Sequence, residues 1–297
     1  MKRIEVREGT MHTLTATSFR ICFRFGLLIW AFPLLAHASL PLSSNVPGGV
    51  AVIPLGSVIT GADTPQTWLG DQPVLVTSDH GRWYAVVGLP LDTTPGPHQL
   101  RVKIGGVTQA RDFVVNTKIY PEQHITLADK GKVELSAADE ARAARELAVI
   151  TKLKHHWRPA QNTDLAFILP VRGELSSHFG LRRFFNGEPR APHAGLDVAV
   201  ARGTPVKASA HGRVLAVDDY FFNGRTVFVD HGNGLITMYC HLDRIDVKAG
   251  EAVRKGQRIG LSGMTGRATG PHLHWSVMLN GAMVDPELFV PAMHKRP

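Results

Sequence analysis

Between residues 44 and 118, apolar positions fall in short runs or alternate every second residue. Residues 49–55, 73–77, 82–87, 99–104 and 107–115 each fit a strand. Asp79-His80-Gly81, Thr94-Pro95-Gly96 and Gly105-Gly106 supply turns between them. Five strands at this spacing predict a small β-sandwich over 44–118. The period then changes. Leu147, Ile150, Leu153 and Trp157 recur at steps of three and four, which predicts one amphipathic linker helix within 135–158, packed between domains. Ser136 stands where an N-cap would, with Asp139 three residues on. From about residue 160 to 297 the strand pattern returns, with candidates at 204–208, 212–218, 226–230, 235–241, 258–261 and 273–279. Asn186-Gly187, Asn223-Gly224, Asn233-Gly234 and Asn280-Gly281 mark tight turns among them. The fold class expected is therefore mainly all-β: a sandwich, one helix, and a larger second β domain.

Composition adds compartment and partner. An apolar content of 44% over 297 residues is ordinary for a globular chain. The formal charge of +8 favours anionic partners. The basic residues are scattered, without the aromatic interleaving of a nucleic-acid module, so nucleic acid is set aside. Residues 1–38 read as a signal peptide. Lys2, Arg3, Arg7, Arg20 and Arg24 precede an apolar run over 25–35, and Ala36-His37-Ala38 is a small-x-small cleavage pattern. Export leaves Cys240 without a second cysteine, so no internal disulfide is expected.

Chemistry concentrates in the second β domain. On a strand, His272 and His274 project from one face and Leu273 from the other. One imidazole of such a pair can bind metal while its neighbour handles protons. His193 and Asp197 flank Gly195, where a bend would aim both side chains at one point. Imidazole nitrogen with one carboxylate oxygen suits a zinc ion that keeps an open position for water. His241 ends an alternating strand and is expected on one face with Tyr239 and Thr237. His155 and His156 read as helix-end residues, and His178, His211 and His231 as structural ones.

Taken in order, Ser177-x-Phe179-Gly180-x-Arg182, Asn186-Gly187, Pro192-His193-x-Gly195-x-Asp197, Tyr239-x-His241-Leu242, Gly263-x-Thr265-Gly266 and Gly270-Pro271-His272-Leu273-His274 resemble the lysostaphin-type (LytM domain) zinc endopeptidases. The resemblance spans roughly residues 165–290. The sandwich at 44–118 resembles, more loosely, the immunoglobulin-like domain preceding such peptidases in some Gram-negative bacteria. The resemblance implies a lysostaphin-like antiparallel domain with a groove over 160–297. It implies one zinc ion per chain held by His193, Asp197 and His274, with His241 and His272 as an unligated catalytic pair. Arg182 and Arg183 are candidates for the substrate groove, because guanidinium matches carboxylate in a bidentate fashion. The implied activity is hydrolysis of peptide cross-links in peptidoglycan, in the periplasm of a Gram-negative cell. Phe184 and Phe185 lie where some members carry a tyrosine near the metal. Other members of the family have lost ligands and act as non-enzymatic adaptors for a wall amidase; here the ligand set is whole. The N-terminal region carries no chemistry of its own, which raises the expectation of latency relieved by a regulatory protein partner.

Overall fold

The computed structural model describes residues 40–125 and 135–291. The signal-peptide reading of 1–38 lies outside them. The first six strands are β1 (Val50–Ser57), β2 (Gln66–Leu69), β3 (Gln72–Asp79), β4 (Arg82–Gly88), β5 (Gly96–Ile104) and β6 (Val107–Val115). They pair antiparallel in the order β1-β4-β3-β2-β5-β6. Alternation along them fills one core: Ala51, Ile53 and Leu55 from β1 meet Ala85 and Val87 from β4, Leu100 and Val102 from β5, and Phe113 from β6. β2 was not read from the sequence; Gln-Thr-Trp-Leu is too short to show a period.

β7 (Glu122–Ile125) is a second strand absent from the sequence reading. It pairs parallel with β9 (Arg182–Phe185), which in turn pairs with β10 (Glu188–Pro189). Between them in the chain comes α1 (Ala137–Lys154). Ser136 caps it, accepting the Asp139 N–H at 3.1 Å. Ile150 and Leu153 pack on the protein, but Leu147 is 63% exposed, so the apolar stripe is narrower than its spacing suggested.

The remaining strands are β8 (Glu174–Ser177), β11 (Leu196–Ala199), β12 (Pro205–Lys207), β13 (Gly212–Tyr220), β14 (Gly224–Gly232), β15 (Leu235–Ile245), β16 (Ala252–Val253), β17 (Arg258–Ser262), β18 (His272–Leu279) and β19 (Ala282–Val284). They build a ten-stranded sheet with the path β16-β13-β14-β15-β18-β11-β8, to which β12, β17 and β19 attach. Its two faces are distinct. Leu273, Trp275, Val277 and Leu279 of β18 enter the largest core with Leu235, Tyr239 and Leu242 of β15. The opposite face carries a smaller core of Tyr220, Phe228, Ile236, Met238, Cys240 and Met278, which Ile150 and Leu153 of α1 cover. By the same alternation His272, His274 and Ser276 stand on that second face.

Val50, Leu75 and Val86 belong to the large core, not to the core between β1 and β6. β1, β3 and β4 thus send side chains into both cores, which is why 49–55, 73–77 and 82–87 read as apolar runs. At the same junction Asn280 accepts the Gly88 N–H at 2.6 Å and donates to its carbonyl at 3.0 Å.

Candidate active site

Strand register brings the site together. Asp197 on β11 is opposite His274 on β18, and His274 is opposite Cys240 on β15. His193 enters from the segment before β11, held at both ends: Gly180 N–H donates to its carbonyl at 2.8 Å, and its own N–H donates to Leu181 at 3.0 Å. Gly195 serves by close approach. A Cβ there would lie 2.6 Å from the Trp275 carbonyl oxygen and 2.8 Å from the His274 ring.

Three lone-pair atoms converge. Asp197 Oδ1 lies 3.0 Å from His193 Nε2 and 2.8 Å from His274 Nδ1, and the two nitrogens are 3.1 Å apart. Among the described residues these three form the group able to hold a metal ion. Their outer atoms are committed. His193 Nδ1–H donates to the His178 carbonyl at 2.8 Å, and His274 Nε2 meets Ser276 Oγ at 2.8 Å. Each ring therefore turns its other nitrogen inward, the arrangement that outer-shell partners impose on metal-binding histidines. Burial works to raise the Asp197 carboxyl, but when the inward nitrogens of His193 and His274 carry protons, their hydrogen bonds and charges outweigh it and hold it well below the usual carboxylate range. The His274 imidazole is pushed down by burial, against the pull of Asp197. Two imidazoles and one ionised carboxylate fit the borderline N/O donor set of a zinc site.

Two more imidazoles stand beside this trio. His272 Nε2 is 3.8 Å from Asp197 Oδ1, and the His241 and His272 rings have centroids 4.6 Å apart. Both Nδ1–H groups donate to backbone carbonyls at 2.8 Å, His241 to Thr265 and His272 to Gly270. Since a carbonyl only accepts, both rings are Nδ1–H tautomers with the lone pair on Nε2. Burial pushes the His241 imidazole down to about 4, so it is neutral near pH ~7.

Strict alternation predicts that His241 shares a face with Tyr239 and Thr237, and it does not. Tyr239 and Leu242 enter the large core while Cys240 enters the small one. The register against β14 jumps from Arg225↔Leu242 to Val227↔Tyr239. His241 sits at this bulge with φ of 60°, in the left-handed region, and so turns toward His272 and His274.

Comparison with known proteins identifies the family. Residues 191–286 match the model of peptidase family M23, and residues 43–118 that of the peptidase family M23 N-terminal domain. A Pseudomonas aeruginosa protein assigned to peptidase M23, known from its crystal structure, is 44% identical. The match covers 84% of this chain and 97% of that one, with a TM-score of 0.70. This chain belongs to peptidase family M23. Among curated relatives, the peptidoglycan DD-endopeptidase ShyA of Vibrio cholerae is 46% identical over 112 residues, which is 37% of this chain and 26% of ShyA. The DD-carboxypeptidase/endopeptidase Mpg of Neisseria gonorrhoeae is 41% identical over 116 residues, 39% of this chain and 27% of Mpg. The chain spans about a quarter of the length of these relatives.

Within this M23 chain, Arg182 and Arg183 already have partners on β7. Arg182 pairs with Glu122 at 3.0 Å; Arg183 donates to Gln123 at 3.3 Å and to Ser177 Oγ at 3.2 Å. Sequence reasoning did not single out Ser276, although it lies two residues beyond His274 on the same strand face. The same alternation that joined His272 to His274 reaches it. The backbone carbonyls of His178, Thr265 and Gly270 carry no sequence signal at all.

Proposed function

We propose that this protein is a zinc-dependent endopeptidase that hydrolyses the peptide cross-links of bacterial peptidoglycan outside the cytoplasm. The convergence of His193, Asp197 and His274, with His241 and His272 against its flank, carries the reading. The name of ShyA, a peptidoglycan DD-endopeptidase, supplies the substrate class. The apolar leader before Ser39 supports export.

His193, Asp197 and His274 are the residues that would hold the ion. A bound zinc ion supplies Lewis-acid polarisation of the scissile carbonyl and acidifies water. The chain's own part is proton handling and charge placement. His241 and His272 present Nε2 lone pairs, held in aim by the Thr265 and Gly270 carbonyls. One ring accepts the proton of the attacking water at Nε2. The imidazolium so formed first turns that Nε2–H to the charge growing on the carbonyl oxygen and then gives the same proton to the leaving amine. Burial lowers the His241 imidazole, so once protonated it gives that proton up readily to the leaving amine.

Incubating the purified chain with isolated sacculi, with and without a chelator, tests this. Release of cross-link fragments that chelation stops and zinc restores is the expected result. Stoichiometric zinc without fragment release would instead favour an adaptor.

A further inference from the structure

Nothing in the proposed chemistry uses α1, yet its polar face is tied to the turn that holds His241. That turn, residues 221–223, joins β13 to β14, and with the last two residues of β13 it forms the segment 219–223. Its backbone is gripped group by group. Arg142 donates to the Asp219 carbonyl at 3.0 Å, and Glu146 Oε2 accepts the Phe221 N–H at 2.7 Å. Arg267 N–H donates to the Phe222 carbonyl at 3.0 Å. The Asn223 carbonyl accepts the His241 N–H at 2.8 Å. Two of these four anchors come from one helix. Arg142 and Glu146 also bind each other at 2.7 Å, and the Arg142 guanidinium lies 5.8 Å from the centre of the Phe221 ring. Tyr220, beside them, is buried in the core that Ile150 and Leu153 cover.

His241 depends on this support more than an ordinary strand residue would. Its left-handed backbone is unfavourable for a side chain with a Cβ and persists only where surrounding bonds enforce it. The Asn223 carbonyl is one of those bonds, and its position is set by the turn. Both helix contacts are charge-assisted, and the Glu146 one is the shorter, 2.7 Å against 3.0 Å for Arg142.

We propose that α1 positions His241 for catalysis, with Glu146 and Arg142 as positioning residues acting through residues 219–223. The proposal rests on the assignment of His241 to the catalytic pair.

The test uses the full chain loaded with zinc. Glu146→Ala is expected to lower kcat about ten-fold with KM within about two-fold and zinc content unchanged, because a misaimed ring costs turnover and not binding. Glu146→Gln keeps an oxygen for the Phe221 N–H and is expected to recover much of the loss. Arg142→Gln is expected to fall between them. Glu140→Ala, exposed on the first turn of the same helix, is expected to match wild type. Histidine-labelled NMR supplies a readout independent of turnover: the His241 imidazole resonances should move in Glu146→Ala and stay put in Glu140→Ala. Wild-type kcat together with unmoved His241 resonances in Glu146→Ala overturns the proposal. So does a loss of kcat equal in Glu146→Ala and Glu140→Ala, which would mean that any change to the helix acts through stability. If wild-type protein releases nothing from sacculi, the endopeptidase reading fails, and the resonances alone still decide whether α1 holds His241.

Discussion

Asp197 and His272 lie 3.8 Å apart at nearest approach, yet their removal should have opposite signatures. Asp197 carries the only negative charge in the trio, so Asp197→Asn should leave the protein folded but well below one zinc per chain. His272→Ala leaves the trio untouched and should keep zinc while losing turnover by about a thousand-fold, the range of a missing proton-transfer group. Metal analysis beside the sacculus assay separates the two, and equal zinc loss in both variants would refute the division of roles. Elsewhere, His231 is almost fully buried, its Nδ1–H donating to the His211 carbonyl at 2.8 Å and its Nε2 2.8 Å from Thr237 Oγ1. Burial pushes it down to about 4 from the ordinary 6.5. Below pH ~6.5 the unfolded chain binds a proton that the folded site resists, so stability is full above that pH and falls toward pH ~4. Between pH ~7 and pH ~5 this one group should cost about 2 kcal/mol. Urea unfolding of wild type and His231→Asn should show that extra slope only in wild type. Residue-scale placement was legible where side chains carry it: spacing and resemblance singled out His193, Asp197, His272 and His274, which the fold brings together. The His178 and Gly270 carbonyls that fix the His193 and His272 tautomers were not, because every residue has a carbonyl.

Among elements, the Asn-Gly turns were the most readable. Asn186, Asn233 and Asn280 all take positive φ followed by a positive-φ glycine, as a two-residue hairpin turn requires. Asn223-Gly224 differs: only Gly224 is left-handed there, and the turn is bound from outside by α1 and Arg267. β7 was invisible because Glu-Gln-His-Ile has no apolar period, and its pairing is with a strand nearly sixty residues away. The bulge at His241 was invisible because alternation assumes a regular strand. Its support can be broken at one atom. Gly224 has φ of 61°, and a Cβ there would run into the Thr265 backbone, whose carbonyl holds His241 Nδ1–H. Gly224→Ala should therefore displace that carbonyl. The expected result is a stability loss of about 2 kcal/mol, from strain and overlap together, and turnover lower by about a hundred-fold with zinc retained. Normal turnover in a Gly224→Ala protein with lowered stability would show that the crossing of the two turns matters only for folding.

At the scale of the whole molecule, the two sheets share a core. Val50, Leu75 and Val86 are buried in one cluster with the apolar side chains of β15 and β18, so the first sheet is not an independent passenger. Polar contacts reinforce the union. Both backbone groups of Gly88 are satisfied by the Asn280 side chain, and a Cβ on Gly88 would stand 2.6 Å from the Leu279 carbonyl oxygen. Asn280 itself has φ of 42°, a conformation Asn tolerates better than other side chains with a Cβ. Residues 40–125 and 135–291 should accordingly unfold in a single calorimetric transition. Asn280→Ala leaves a buried N–H and a buried carbonyl without partners and should lower stability by about 3 kcal/mol. Gly88→Ala should act more severely, because the sheets must separate to admit the methyl group. If that separation uncouples them, the single transition splits in two, the earlier belonging to the first sheet. Two transitions already present in wild type would mean that the shared apolar contacts are too weak to join the sheets, and that the Asn280 clamp merely aligns halves that fold alone.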